Sequence, residues 1–418
     1  MTTSRADAYS NVITGLGTDR DKSSGGGFQV RGQLGPTILS DVYEQDAIAA
    51  RIIDRLPDDA TREDITLTSV DAKVDFEAVL SNLDDLEALN KVGDAWRWAR
   101  LYGGSLLFMN VNDGNKMDEP LDLAKASKLS SLQVIESQFV LPTKFNPGLG
   151  ARAFRNPEFY DVVLPLGTGT NMRKIHRSRV IRFDGVRVPP TRMIQGNGWG
   201  PSVLDRVFTE VSQIGEVMGY SRNIIHDISL MVLQIEGFRD MLIGTDKDQQ
   251  EARAILESLK YNADNLHMLA LDSKDKYIEV ARTVSGLTEL IDKFVDALVR
   301  ATEMPRTIIL GEQPSGLGST ADAEIRSWYD SVASQQKRVL TPALNRLLEV
   351  IFAIRDDNIS EWVIDYASLW QPSAKEQAET YNAWSQGDER YMLNGVLGED
   401  QVEQLLVTRG FLPDGVQE

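Results

Sequence analysis

Apolar positions along this chain change their period several times, and each change marks an element. From Ile38, DVYEQDAIAARIIDRLP carries the stripe Val42, Ile48, Ile52 and Ile53 at helical spacing, and the pattern predicts a helix that closes on Pro57. VDFEAVLSNLDDLEALNKVGDAWRWARLYGG reads as further helix, ended by Gly103 and Gly104, and runs directly into the continuous apolar stretch SLLFMNV. That junction predicts a helix feeding a buried strand through a glycine turn. Between about 133 and 199, aromatic and β-branched residues alternate with polar ones in LQVIESQFVLPT, FYDVVLP and KIHRSRVIRFDGVRVP, so short strands are expected.

After GNGWGPS the helical period returns. Val203, Val207, Val211, Ile214, Met218, Ile224, Ile225 and Ile228 predict one helix to about Leu233, a rod of roughly 45 Å. Gln234 to Arg282 is a small acidic stretch, with one helix in IGTDKDQQEARAILESL and a hairpin expected around SKDK. A second amphipathic helix, GLTELIDKFVDALVRATEMP, presents Leu287, Leu290, Ile291, Phe294, Leu298 and Val299 on one face and stops at Pro305. IILGEQPSGLGST follows as a loop. Ser319 and Asp322 then open a helix striped by Ile325, Trp328, Val332 and Val339, which should kink or restart at Pro342 with Thr341 as cap. ALNRLLEVIFAIRD continues it, EWVIDYASL alternates as a strand, and SAKEQAETYNAWSQG and EDQVEQLLVTRGF read as two short final helices. The fold class expected is α+β.

Composition narrows the chemistry. At 418 residues the chain exceeds one ordinary core, and 42% hydrophobic with 25% charged residues describes a folded, soluble protein. The first thirty or so residues, with GTDRDKSSGGGFQ, read as a flexible arm. No run of about 18 uncharged apolar residues occurs and the first residues lack a signal-type apolar region, so no membrane is expected and folding is placed in a cytoplasm. With no cysteine and three dispersed histidines, His176, His226 and His267, neither a thiolate nor a metal site is legible, and no cofactor is expected.

The glycines of IILGEQPSGLGST have the Walker spacing from Gly311 to Gly316, but Leu317 stands where the phosphate-binding lysine belongs. His176-Arg177-Ser178 is half of the H-x-[ST] pair of two-histidine phosphodiesterases, without a second half: Asp-Ile follows His226 and Met-Leu follows His267. Adjacent carboxylates such as Asp58-Asp59 and Asp356-Asp357 read as solvated turn residues. The basic spots Lys337-Arg338 and Arg177 to Arg182 read as solvated or intersubunit faces. A net charge of -18 opposes tight sequence-independent DNA binding. The residues therefore describe a large acidic scaffold with two long helices and a loop, and no catalytic residue.

In order along the chain, DVYEQDAIAARIIDRLPDDATRE, ARLYGGSLLFM, IHRSRVIRFDG, GNGWGPSVLDRVFTEV and MPRTIILGEQPSGLGSTADAEIRSWYDSVASQQKRVLTPALNRLLEVI resemble segments of tailed-bacteriophage portal proteins, in the branch of a phage-associated family of unknown function. The resemblance implies an arm (1–32), an α+β wing (33–200), stem helices at 201–233 and 283–305 flanking a clip (234–282), a tunnel loop (306–320), a kinked helix (321–355), and a wing-return strand with a small crown (356–418). It places Val207, Ile214, Met218, Leu290, Phe294 and Leu298 in stem packing. It places Asp246, Lys247, Asp248, Lys274, Asp275 and Lys276 in the motor- or adaptor-docking clip. Gln313, Pro314, Ser315, Gly316, Leu317, Gly318, Ser319 and Thr320 become a tunnel loop facing duplex DNA.

What the resemblance implies about role is a non-enzymatic ring, usually of twelve subunits, in the virion at one capsid vertex. Its partners would be loosely held double-stranded DNA, the large terminase subunit, a head-tail adaptor and a major capsid or scaffold protein, with assembly in the host cytoplasm. The alternatives are another ring-forming head-tail adaptor, which the chain length disfavours, and a nucleotide-processing enzyme reusing the fold, which would need a second H-x-[ST] motif or a metal cluster, neither of which the sequence shows.

Overall fold

The computed structural model describes residues 32–69, 74–145, 157–166, 169–227, 231–235, 238–254, 257, 268–272, 287–311, 319–357, 359, 361–370, 374–396, 398, 401–402 and 405–406. Helices α1 (Pro36–Gln45) and α2 (Ala47–Thr61) are separated by Asp46, whose carboxylate accepts from the Ile48 and Ala49 amides at 2.8 and 2.9 Å and caps α2. The expected stop at Pro57 does not occur: α2 runs on to Thr61 with the proline inside it. A proline at 57 leaves the Ile53 carbonyl without its i+4 donor. Arg100, from a later helix, donates its Nε to that oxygen at 3.0 Å and its Nη2 to the Ile52 carbonyl at 2.7 Å. A side chain from another helix thus supplies the missing donor.

Strand β1 (Ile65–Thr68), α3 (Phe76–Asp85) and α4 (Ala88–Tyr102) lead into β2 (Gly104–Asn112), the helix-to-strand passage that the glycine pair predicts. β2 is the centre of an antiparallel sheet β3-β2-β7, with β3 at Lys128–Glu136 and β7 at Val180–Asp184. A second antiparallel sheet is β4 (Val140–Phe145), β5 (Pro157–Leu166) and β6 (Gly169–His176). Successive strand residues face opposite ways, and β2 uses both faces. Leu107, Met109 and Val111 enter the main core with α2 and α4, while Leu106 and Phe108 enter a smaller core with Tyr160, Val162, Ile175 and Trp199. That double burial is why SLLFMNV is apolar without alternation.

After α5 (Pro190–Gln195), α6 spans Leu204–Asp227. The helix expected to reach Leu233 ends earlier: Met231–Ile235 is strand β8, whose apolar, β-compatible MVLQI pairs in parallel with β9 (Met268–Asp272). The hairpin expected around SKDK has its second arm outside the described residues, and the described partner of β9 is β8. Between these strands lie α7 (Phe238–Ile243) and α8 (residues 246–254).

α9 (Leu287–Thr302) is followed by α10 (Arg306–Leu310), so the start of the expected loop is a helical turn that buries Ile308 and Ile309. α11 (Ser319–Gln335) and α12 (Thr341–Arg355) form one helical path joined by a π-turn at Gln336–Leu340. The α-helix restarts at Thr341 with Pro342 in its first turn, as expected, but Thr341 is not its cap. Thr341 is helical, and its hydroxyl turns back to the Gln336 carbonyl at 3.2 Å and meets the Tyr366 hydroxyl at 2.9 Å instead of capping. The wider π-turn absorbs the proline. β10 (Val363–Tyr366) returns to pair antiparallel with β1, and α13 (Ala374–Leu393) follows, longer than the short helix expected. Among the described residues no helix is long and apolar enough to cross a membrane.

Candidate functional site

The two long helices pack side by side and share one base. Val207, Val211 and Ile214 of α6 and Val295 and Leu298 of α9 are buried, and Phe294 is half-buried against the same core. Met218 and Leu290, expected in the same seam, are instead 51% and 48% exposed. Both lie toward the far end of the pair, beyond the reach of the lobe that covers the base. Tyr220 is likewise exposed, and a buried carboxylate oxygen of Glu210 has no hydrogen-bond partner among the described residues.

At the base, two glycine-rich motifs that are remote in sequence dock on one another. Gly103 caps α4 at φ +84°, and its carbonyl accepts from Gly185 at 2.9 Å. Val186 donates to the Pro201 carbonyl at 3.0 Å, and Val203 donates to the Arg100 carbonyl at 2.9 Å. Trp199 lies flat where Gly104 has no side chain, donates Nε1 to the Val140 carbonyl at 3.1 Å, and carries the Arg182 guanidinium 4.2 Å above its ring. GNGWGPS is therefore the joint through which the sheets orient α6.

Asp205, in the first turn of α6, accepts from the Ser202 amide at 3.0 Å and from Leu34 at 2.8 Å, tying the start of the described chain to the same joint. Burial holds the Asp205 carboxyl above its usual range despite these two amides. Beside the joint, a cleft of about 660 Å³ lies among α2, α4, α6, α9 and α11 and is rimmed by Arg187, Arg206, Arg338 and Glu303. Arg187 and Arg206 do not stand out in the sequence, since neither sits in a charge run.

In the small lobe, Asp246 and Lys247 are exposed, but Asp248 acts as a helix cap: its Oδ2 accepts from the Thr245 amide at 2.9 Å and hydroxyl at 2.6 Å. Those bonds hold its carboxyl below the ordinary range. Lys274, Asp275 and Lys276 lie outside the described residues, as do Gln313, Pro314, Ser315, Gly316, Leu317 and Gly318. Ser319 and Thr320 open α11, and Gly311, at φ +71°, turns the chain beside the Arg51 guanidinium.

The remaining chemical candidate is tied up locally. His176 Nδ1 meets the Ser178 hydroxyl at 2.8 Å and accepts from its amide at 3.2 Å, while that hydroxyl accepts from Leu121 at 2.8 Å. The motif is a strand-end turn. Burial, then the adjacent Arg177 guanidinium, hold the His176 imidazole below its ordinary pKa, with Glu158 opposing and Arg179 and Lys144 reinforcing. An unfolded histidine then binds protons that the folded one refuses, so this residue lowers stability as pH falls through about 6.5. The unfolding midpoint of a His176→Gln variant should fall less between pH 7.5 and 5 than that of the parent, and equal falls would refute it.

In the basic run Arg177 to Arg182, Arg177 is exposed, but Arg179 is internal and Arg182 partly buried, a correction at those two positions to the expected solvated or intersubunit face. Arg179 is 3% exposed and its Nη2 bonds both Asp113 oxygens at 2.7 and 3.0 Å, while Arg182 is held by Trp199 and Asp184. Among the described residues no group of histidine and carboxylate side chains could hold a metal ion.

A family model described as "Phage portal protein" matches residues 38–390, from α1 into α13. The chain belongs to the phage portal protein family. Among curated relatives of this portal-family chain, "Anti-CBASS protein Acb1" of Caulobacter sp. (strain RHG1) is 26% identical over 91% of the chain and 62% of its own length. "Anti-CBASS protein Acb1" of Sphingomonas paeninsulae is 24% identical over 90% and 61%, and an uncharacterized protein of Haemophilus influenzae is 24% identical over 76% and 70%. The chain thus spans about three-fifths of the length of the Acb1 relatives. Two solved structures, "Neck of empty GTA particle computed with C6 symmetry" and "Virion of native gene transfer agent (GTA) particle", contain chains 13% identical, each with a TM-score of 0.49. They cover 94% of this chain and 98% and 97% of their own.

Proposed function

We propose that this chain is the subunit of a portal ring at one capsid vertex, forming a passage for double-stranded DNA and a docking platform for the large terminase subunit and a head-tail adaptor. The carrying observation is the family match across the whole wing, stem and post-loop helix. Within a single chain the far end of the stem pair keeps Met218, Tyr220 and Leu290 uncovered, as expected of rods that pack against neighbours in a closed ring of about twelve. The net charge of -18 suits a conduit, because a wall rich in lysine and arginine would grip phosphates by counterion release. The stretch 312–318 would be the tunnel loop, the lobe between the stem helices would be the clip facing motor and adaptor, and a capsid or scaffold protein would hold the wing.

Negative-stain images of the purified chain should show rings with a central hole. Leu290→Asp and Met218→Asp should each cut the ring fraction at least about tenfold, since a charge buried at each subunit contact costs at least about 1.4 kcal/mol, while the thermal unfolding of the single chain stays unchanged. Rings that persist in both variants would remove the stem from the interface.

A second reading follows from the Acb1 relatives, whose name describes an activity against CBASS. It is weaker, because the shared region is only 62% and 61% of those proteins, so the activity can reside in the remainder. The half-motif at His176 is also engaged within its own turn. If expression of this chain alone counteracted CBASS defence in plated cells, the second reading would replace the first.

A further inference from the structure

The cleft of about 660 Å³ beside the joint reverses the charge balance of the chain. The net charge of the sequence is -18, yet the charged walls here are Arg100, Arg187, Arg206 and Arg338 against Asp184 and Glu303. Asp184 is already neutralised, since its Oδ1 meets Arg182 at 2.6 Å, and Arg182 is not a wall of the cleft. Glu303 alone is left to balance the guanidinium groups.

Among the described residues none of these arginines forms a salt bridge, with Glu303 or with any other carboxylate. Asp54, the carboxylate that acts on Arg100 through space, is itself held by Arg97 at 3.0 Å. Hydrogen bonds use few of the donors. Arg100 spends Nε and Nη2 on the Ile53 and Ile52 carbonyls, and Arg206 spends Nη2 on the Arg187 carbonyl at 3.3 Å. Each guanidinium has five N–H donors, so most of those around this cleft have no protein partner among the described residues. Arg187, Arg206 and Arg338 are exposed and Arg100 is partly buried. Like charges around one small space repel, and the partly buried one also loses hydration. A bound anion relieves both costs.

Size and charge density select the anion. The volume lies within the roughly 300–1,000 Å³ of a small-molecule pocket. An acidic polypeptide brings one charge per side chain, spread along its length. Phosphate groups bring several charges within a few ångströms, and the guanidinium fork matches their oxygens two at a time.

We infer that this cleft is a binding site for closely spaced phosphate groups, held by Arg187, Arg206 and Arg338 with Arg100. The phosphates belong either to a free nucleoside triphosphate or to a DNA strand. The second source rests on the proposed DNA conduit, and the first does not. A single cleft in each subunit holds phosphate locally and leaves the acidic surface elsewhere unable to grip.

The test is equilibrium binding of ATP and of a short duplex DNA to the full chain and to Arg187→Gln with Arg206→Gln. At least one probe should bind, and the double variant should weaken that binding at least about tenfold. Arg338→Gln repeats the measurement from another element and should act in the same direction. Arg253→Gln, an exposed arginine of α8 outside the cleft, should change nothing. Whichever probe loses affinity names the source of the phosphates. Binding of neither probe, or equal binding by the parent and the cleft variants, would overturn the inference. So would a cleft that takes polyglutamate and refuses both probes, because its ligand is then an acidic polypeptide. Negative-stain images of the same samples score the portal reading separately: rings without phosphate binding sink this inference alone, and cleft-dependent ATP binding without rings supports it while counting against the portal reading.

Discussion

Gly103→Ala is expected to cost about 2–5 kcal/mol of folding stability, and Gly104→Ala about 1–3 kcal/mol. A Cβ on Gly103 would sit closer than 3.0 Å to the Gly200 carbonyl oxygen, which is backbone and cannot rotate away. The residue also holds φ +84°, worth about 1–2 kcal/mol of strain for an L side chain, on top of about 1–3 kcal/mol of overpacking. At Gly104 the same atom would overlap the Trp199 ring, which is fixed by its Nε1 bond and by Arg182. Denaturant midpoints measure both. Trp199→Ala, which empties the site, should rescue Gly104→Ala in part while leaving Gly103→Ala as damaged as before. Equal behaviour of the two glycine variants toward Trp199→Ala would show that the joint is not built this way. Because the joint sets α6 against the sheets, ring yield should fall with stability.

The second large effect concerns Arg100. Its guanidinium is partly buried, and desolvation pushes its pKa down to about 10, partly offset by the Asp54 carboxylate, so it is still charged at neutral pH. Arg100→Met removes the donor to the Ile53 carbonyl, and an unmet buried acceptor costs about 1–3 kcal/mol. Pro57→Ala returns an amide to the position that should serve that carbonyl. In the Pro57→Ala background the Arg100→Met penalty should shrink by about 1 kcal/mol or more, a coupling well within the range of contacting residues. A penalty that is the same in both backgrounds would mean that Arg100 serves α2 in some other way.

Where apolar period and punctuation agree, the elements are legible. SLLFMNV after Gly103-Gly104 is a strand because its run is too short for a helix and both of its faces are buried, and α9 is a helix because Leu287 to Val299 keep one stripe. The failures share one cause: a local signal is answered by a residue remote in sequence. Pro57 should end a helix, but Arg100 supplies the donor. At Pro342 the helix restarts as expected, but the cap expected from Thr341 is replaced by a π-turn, with the Gln336 side chain anchored on the Ala60 carbonyl at 2.8 Å. MVLQI continues the α6 stripe, yet it pairs with β9, which lies more than thirty positions on.

The candidate site divides in the same way. The motifs GNGWGPS and ARLYGG are visible as motifs, and their meeting at Trp199 is not, because nothing in either string names the other. Asp248 reads as a free acid of the small lobe in the sequence, and only its bonds to Thr245 make it a cap.

The sequence by itself determined the succession of helix and strand, the acidic, cysteine-free character that leaves thiolate chemistry no residue, and a family resemblance strong enough to order the parts. Only the tertiary structure decided which charged residues are internal, as with Arg179 and Asp59, and which apolar residues stay outside, as with Met218 and Leu290. The reason is physical. Periodicity records which side of an element avoids water, whereas the partner that satisfies a buried charge, or covers an apolar face, comes from elsewhere in the chain or from another copy of it.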